Sequence, residues 1–113
     1  QLCIAGIIQG LSEGIILGKS SKLNMDKVFA AISNGAAQSW QMDNRFKTMI
    51  ENRFDFGFAV DLMIKDLKIA INHAKTNHLE LEISKNVLKK YKKLSSKNMG
   101  NLDTSSLIKL FDL

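Results

Sequence analysis

The sequence predicts an all-α domain of about six helices, and three observations carry that prediction. Apolar residues recur at helical spacing along most of the chain, no stretch of strand length alternates apolar with polar residues, and proline is absent. The 113 residues fit one domain, and 45% hydrophobic content supplies a packed core. Seven glycines and no proline argue against a loop-rich or disordered chain.

Gln1 to about Lys19 reads as the first helix. It opens without a capping residue, as though the chain starts inside an element. Gly6, Gly10, Gly14 and Gly18 repeat every four residues and so line one face. Each costs up to about 1 kcal/mol of helix propensity relative to alanine. Four in register imply that another backbone approaches this face, in a tight crossing inside the domain or between two copies of the chain. In a bilayer such spacing marks paired helices. Here Gln9, Ser12 and Glu13 interrupt the apolar run, which is expected to be too polar and too short for a span of about 20 apolar residues. No basic region or cleavage pattern marks a targeting segment, so a soluble helix is expected.

Asn24 and Met25 lead into a short helix from about Asp26 to Ser33, with Asp26 acidic in its first turn. Asn34-Gly35 is a stop signal, because both residues tolerate left-handed backbone. Ala36 to about Arg45 forms the next helix, and Met49 to Phe56 a loop with Asn52 and Gly57 as breakers. From Phe58 to about Thr76, Val60, Met63, Ile64, Leu67, Ile71 and Ala74 make one stripe, and Asp61, Lys65, Lys68 and Asn72 another. Asn77 is the expected C-cap. Glu80 to Ser95 is amphipathic, with Ile83, Val87, Leu88, Tyr91 and Leu94 inward. Gly100 ends a linker, and Asp103 caps a last helix through about Phe111.

One cysteine, Cys3, excludes an internal disulfide and suits a reducing cytoplasm. Its apolar neighbours predict a small buried hydrophobe. The formal charge is +5, and Lys85, Lys89, Lys90, Lys92, Lys93 and Lys97 form a run with no acidic residue between Glu82 and Asp103. Such a run is either a solvated helix face or a footprint for nucleic acid. No aromatic platform is interleaved with it, and Tyr91 is in phase with the core, so the solvated face is expected and nucleic acid is not.

No catalytic set is complete. The glycines lack the strand and signature of a phosphate loop. His73 and His78 have no ligand partners at zinc spacing, so no metal is expected. No Ser or Cys stands in a nucleophile motif. Lys65 reads either as a surface lysine paired with Asp61 or as a cation that meets a phosphate, ribose or carboxylate. Trp40 reads either as core or as the wall of a small-molecule pocket.

The segment Phe56-Gly57-Phe58-Ala59-Val60-Asp61-Leu62-Met63-Ile64-Lys65-Asp66-Leu67 resembles the cofactor-facing helix of the β-hydroxyacid dehydrogenases. That is the family of 3-hydroxyisobutyrate dehydrogenase and tartronate semialdehyde reductase. Ser12-Glu13-Gly14, Asn34-Gly35-Ala36-Ala37-Gln38-Ser39-Trp40 with Asn44-Arg45, and Leu102-Asp103-Thr104-Ser105-Ser106 resemble its other blocks in order, so the resemblance covers nearly the whole chain. Phe56, Asn77 and Glu82 depart from the family pattern at turns and caps.

The resemblance implies the helical C-terminal domain of a 6-phosphogluconate dehydrogenase-like enzyme, over residues 1–113. It implies a Rossmann domain and a catalytic lysine upstream of Gln1, with no catalytic residue in this chain. Lys65 corresponds to the lysine that contacts NAD or NADP. Gln1, as the last residue of the catalytic motif, and Trp40 and Phe58 correspond to substrate-cleft positions. The substrate implied is a small β-hydroxyacid of the 3-hydroxyisobutyrate or 2-hydroxy-3-oxopropionate kind, in a cytoplasmic homo-oligomer paired through the glycine-lined helix. The rival reading is a non-catalytic helical module whose Lys85–Lys97 face binds an acidic partner or nucleic acid.

Overall fold

Helix α1 (Leu2–Ser20) runs between two apolar clusters and contributes one half to each. The structure, a computed structural model, describes residues 1–112. After α1 come α2 (Met25–Ile32), α3 (Trp40–Ile50), α4 (Val60–Thr76), α5 (Glu82–Ser96) and a closing 3₁₀ helix (Thr104–Asp112). Among the described residues the only strand-like pairing is one antiparallel bridge between Ala59 and Asp103, and the all-α expectation holds.

Ala5, Ile8, Ser12 and Ile15 follow helical spacing along one face of α1, and all four are buried. Ala5 and Ile8 pack with the α4 stripe, with Val87, Tyr91 and Leu94 of α5, and with Leu107. Further along, Leu11 and Ile15 pack with Met42, Phe46 and Met49 of α3 and with Phe54 and Ile108. The α4 stripe read from the sequence is buried at all six positions. Left-handed residues follow α1, α3, α4 and α5, at Lys22, Asn52, His78 and Asn98. Behind them the amides of Leu23, Arg53, Leu79 and Met99 reach back to carbonyls in the last turn, so each helix is closed without a glycine.

Several expectations are corrected. α3 starts at Trp40 because Ser39 caps it, its hydroxyl accepting from Met42 N at 3.0 Å, and it runs on to Ile50. α4 starts at Val60 because Phe58 and Ala59 are paired with the chain near Asp103. Neither Asn34 nor Gly35 is left-handed. Ile83, at the start of α5, is 71% exposed, and Cys3 is exposed rather than core. The last helix is 3₁₀, not α. At 19 residues and a mean hydropathy of 1.4, α1 is long and apolar enough to cross a membrane, so that exclusion by length and polarity fails. Its buried face instead packs under α3, α5 and the 3₁₀ helix.

The glycine face is mostly open. A Cβ at Gly6, Gly10 or Gly14 would meet nothing within 4 Å, whereas at Gly18 it would lie 3.0 Å from Met25 Sδ. Among the described residues no element makes the tight crossing expected along that face.

Two segments far apart in sequence are laced together beneath the N-terminus of α4. Asp103 N donates to Phe54 O (2.9 Å), Thr104 N to Phe58 O (2.8 Å), Val60 N to Leu102 O (2.8 Å) and Asp61 N to Gly100 O (2.9 Å). The Asp103 carboxylate, 1% exposed, sits in the middle. It accepts from Phe58 N (2.9 Å), Ser105 N (3.0 Å), the Ser105 hydroxyl and Arg45 Nε (3.0 Å). Gly57, at φ +76°, passes so close that a Cβ there would collide with this carboxylate. Nearby, Tyr91 Oη donates to Thr104 O at 3.1 Å. Burial pushes the phenol's pKa far above its usual range, and the Asp103 charge adds to the shift, so Tyr91 stays a neutral donor.

Gly57→Ala should therefore cost about 3 kcal/mol or more, from left-handed strain plus disruption of the Arg45–Asp103 pair. In a thermal melt that is a fall of roughly 10 °C or more. Tyr91→Phe, which removes one neutral hydrogen bond, should cost about 1 kcal/mol. Similar losses for the two variants would count against a clamp centred on Asp103.

Candidate functional site

A cleft of about 300 Å³ opens where the start of α1, the first turns of α3 and the Gly57–Phe58 segment meet. Gln1, Trp40 and Phe58, the residues that the resemblance assigns to substrate, all line it. Trp40 is the first residue of α3 and is 60% exposed, which removes the core-packing reading. Phe58 is half-buried, with one side against the α1–α4–α5 cluster.

Arg45 holds the cleft wall. Its guanidinium lies over two rings, 5.1 Å from the Trp40 centroid and 4.9 Å from that of Phe56. Each such contact is worth about 0.5–2 kcal/mol depending on desolvation. Nε donates to Asp103 and Nη1 to Asn44 O at 3.2 Å, so the planar group is fixed by two hydrogen bonds as well as by its ring contacts. Because Asp103 neutralises it, Arg45 acts here as a brace for the aromatic wall more than as a free cation. Gln41, next to Trp40, also lines the cleft, and its buried Oε1 accepts no hydrogen bond from the protein. An acceptor left without a donor costs about 1–3 kcal/mol, and a ligand N–H or O–H would relieve that cost.

Lys65 lies outside the cleft but is linked to it. Its Nζ is 3.3 Å from Asp66 Oδ1, while Gln1 Nε2 donates to Asp66 Oδ2 at 3.0 Å. The expected Lys65–Asp61 pair does not form. Asp61 accepts from Ser95 Oγ at 2.6 Å and is packed against Gly100, so its carboxylate is turned toward the end of α5. Lys65, 62% exposed, is left at the rim with one neighbouring carboxylate, a pair of small worth in water.

Arg45, Asp103, Phe56 and Gln41 were not singled out for the cleft by sequence reasoning. Arg45 and Asp103 are 58 residues apart, and no local period connects them. The available signals were Gly57, a breaker beside aromatic residues, and the blocks Asn44-Arg45 and Leu102-Asp103, which carry the resemblance but were given no role in the cleft. Among the described residues no three His, Cys, Asp or Glu side chains come together to hold a metal.

Comparison with known proteins agrees with the resemblance. Residues 1–111 match the family described as "NAD-binding of NADP-dependent 3-hydroxyisobutyrate dehydrogenase". An uncharacterized oxidoreductase of Shewanella frigidimarina is 48% identical over 96% of this chain and 37% of its own length. The L-threonate dehydrogenase of Escherichia coli K12 is 28% identical over 96% of this chain and 36% of its own. The chain thus spans little more than a third of the curated relatives it matches. Among solved structures, a 3-hydroxyisobutyrate dehydrogenase from Salmonella typhimurium superposes with a TM-score of 0.86 at 25% identity, over 97% of this chain and 39% of that one. Another from Mycobacterium tuberculosis, with L-serine, reaches 0.89 at 19% identity, over 99% and 40%, which shows the shared fold. Its helices, its ordered sequence blocks and the match along nearly its whole length make this chain a member of the NAD-binding domain family of 3-hydroxyisobutyrate dehydrogenases.

Proposed function

We propose that this chain is the helical, cleft-forming part of an NAD(P)-dependent dehydrogenase of small β-hydroxyacids, working in the cytoplasm. The observation that carries the reading is the convergence of Gln1, Trp40 and Phe58 on one cleft braced by Arg45. A cleft of about 300 Å³ has room for a small acid or one end of a dinucleotide, not for a whole dinucleotide. The rest of the cofactor, the Rossmann fold and a lysine acting as general acid/base belong in this reading to sequence N-terminal to Gln1.

Bound NAD or NADP supplies hydride acceptance or donation. The residues of this chain position and enclose. Trp40 and Phe58 offer apolar surface that excludes water from the reacting carbon. Gln41 Oε1 takes a proton donor from the ligand. Gln1 is held by Asp66 at the mouth, and Lys65, joined to the same carboxylate, turns its ammonium to a phosphate, ribose or carboxylate of the bound molecules. The relatives named dehydrogenase or oxidoreductase favour this reading over a purely non-catalytic module. The open face at Gly6, Gly10 and Gly14 is where a second copy packs.

Three outcomes test the proposal. The 113-residue chain alone should oxidise no β-hydroxyacid with either cofactor, and any turnover by the pure chain would contradict the division of labour. In the enzyme that carries this domain, Lys65→Ala should lower kcat/KM about ten- to a hundredfold, the equivalent of a charge-assisted hydrogen bond of roughly 1.5–3 kcal/mol. Lys68→Ala is the control, and equal kinetics for the two would leave Lys65 a solvated lysine. Gly10→Leu should leave the fold intact, since a Cβ there meets no described residue within 4 Å and the side chain has an open groove to enter, yet abolish self-association in sedimentation velocity. A native chain that is monomeric at high concentration would remove the pairing.

A further inference from the structure

A second concave surface lies between α4 and α5 and shares no residue with the cleft. Its volume is about 350 Å³. Its floor is apolar, formed by Ile71 and Leu88, which are 5% and 8% exposed. Five lysines stand around it, Lys68 and Lys75 from α4 and Lys85, Lys89 and Lys92 from α5, with the Asn72 amide between them. The placement follows from helical spacing. Residues 68 and 75 are seven apart, and 85, 89 and 92 are four and three apart, so each helix lines up its lysines on the flank facing the other.

One carboxylate serves the five. Glu80 lies 2.8 Å from Lys85 Nζ, and this bond together with the Lys85 charge holds its pKa below the usual range, with Lys75 adding to the effect. Among the described residues Lys68, Lys75, Lys89 and Lys92 lie within 4 Å of no acidic group. Like charges gathered around an apolar floor repel one another, and a multivalent anion seated among them reverses the sign of that term.

We propose that this groove binds a compact, soluble oligophosphate carried as a free small molecule. Shape and charge choose it over larger polyanions. Seven residues of helix span only about 10 Å, which matches about three phosphates of a nucleic-acid strand at roughly 3.4 Å each. That is too short a track for firm nucleic-acid binding, whereas it covers a short phosphate chain. Lysine ammonium groups are point charges on flexible stems and close on phosphate oxygens from several directions, without the planar pairing that arginine gives a carboxylate. The concave shape does not meet a flat anionic membrane, and the exposed apolar residues Ile69 and Ile83 are not part of the groove.

The test is calorimetric titration of the full 113-residue chain with tripolyphosphate in a phosphate-free buffer. Binding should be saturable at one site and at least about tenfold tighter than inorganic phosphate. The double variant Lys89→Gln/Lys92→Gln should weaken it about tenfold or more, and Lys68→Gln on the facing helix should weaken it severalfold. Lys19→Gln/Lys27→Gln removes the same charge elsewhere and should leave affinity within about twofold. Thermal melts of each variant confirm the fold. Equal weakening by the two double variants would show a diffuse field rather than a site and overturn the proposal. So would parity between tripolyphosphate and phosphate, or tighter binding to a DNA duplex, an acidic peptide or vesicles containing phosphatidylserine.

Discussion

The buried carboxylate of Asp103 is the constraint on which the rest of the structure depends. It is almost wholly removed from water and satisfies two backbone amides, a hydroxyl and a guanidinium at once. Desolvating a carboxylate is costly, and the cost is recovered only when every lone pair is occupied in good geometry. Here the partners come from three places: Arg45 on α3, Phe58 before α4, and Ser105 in the 3₁₀ helix. Losing Arg45 leaves a charge without compensation in the interior, and losing Phe58 N or Ser105 leaves a carboxylate lone pair without a donor. The clamp therefore fixes the relative placement of elements that local helix-forming tendencies leave free.

The cleft is a consequence of that clamp. The guanidinium that pairs with Asp103 also lies over the rings of Trp40 and Phe56, which gives the exposed Trp40 a cation–π partner at the surface. Gly57 has to lack a side chain because the carboxylate occupies the space that a Cβ needs. The same lacing of residues 54–60 with 100–104 sets the first turn of α4, and so the direction in which Lys65 and Asp66 leave the helix. The placement of this charged pair is thus inherited from a structural pair in the interior.

What was legible in the sequence was whatever depends on neighbours in the chain. The period of α4 named its six buried positions, and the helix count and order of elements followed from periodicity and breakers. Boundaries moved by a few residues where a long-range contact competed with helix formation, as when the bridge to Asp103 delayed α4 to Val60. Lys65 was matched with Asp61 by spacing alone, but Asp61 had a better partner 34 residues away in Ser95. Ile83 failed for the same reason, since a helix end contributes to the core only if another element covers it. Gln1, Trp40 and Phe58 were named through resemblance to a family. Arg45 and Asp103 were named only within family blocks, Asp103 also as a cap, and their pairing was not read because it exists only in three dimensions.

The first helix joins the remaining surfaces into one physical argument. Gly10 and Gly14 cost about 0.8–1 kcal/mol each against alanine, and within this chain no contact recovers it. The same face borders an apolar groove of about 410 Å³ lined by Ile7, Leu11, Ile15, Val28 and Phe46. Glycines that destabilise a helix and open onto apolar surface make sense only if burial of that surface against another backbone outweighs the loss. A partner that packed there would bind only the folded chain and stabilise it by mass action. Gln1, the N-cap of α1, lines the cleft, so the helix that carries the open glycine face also anchors one wall of the cleft. The open glycine face and the cleft wall thus share a single element.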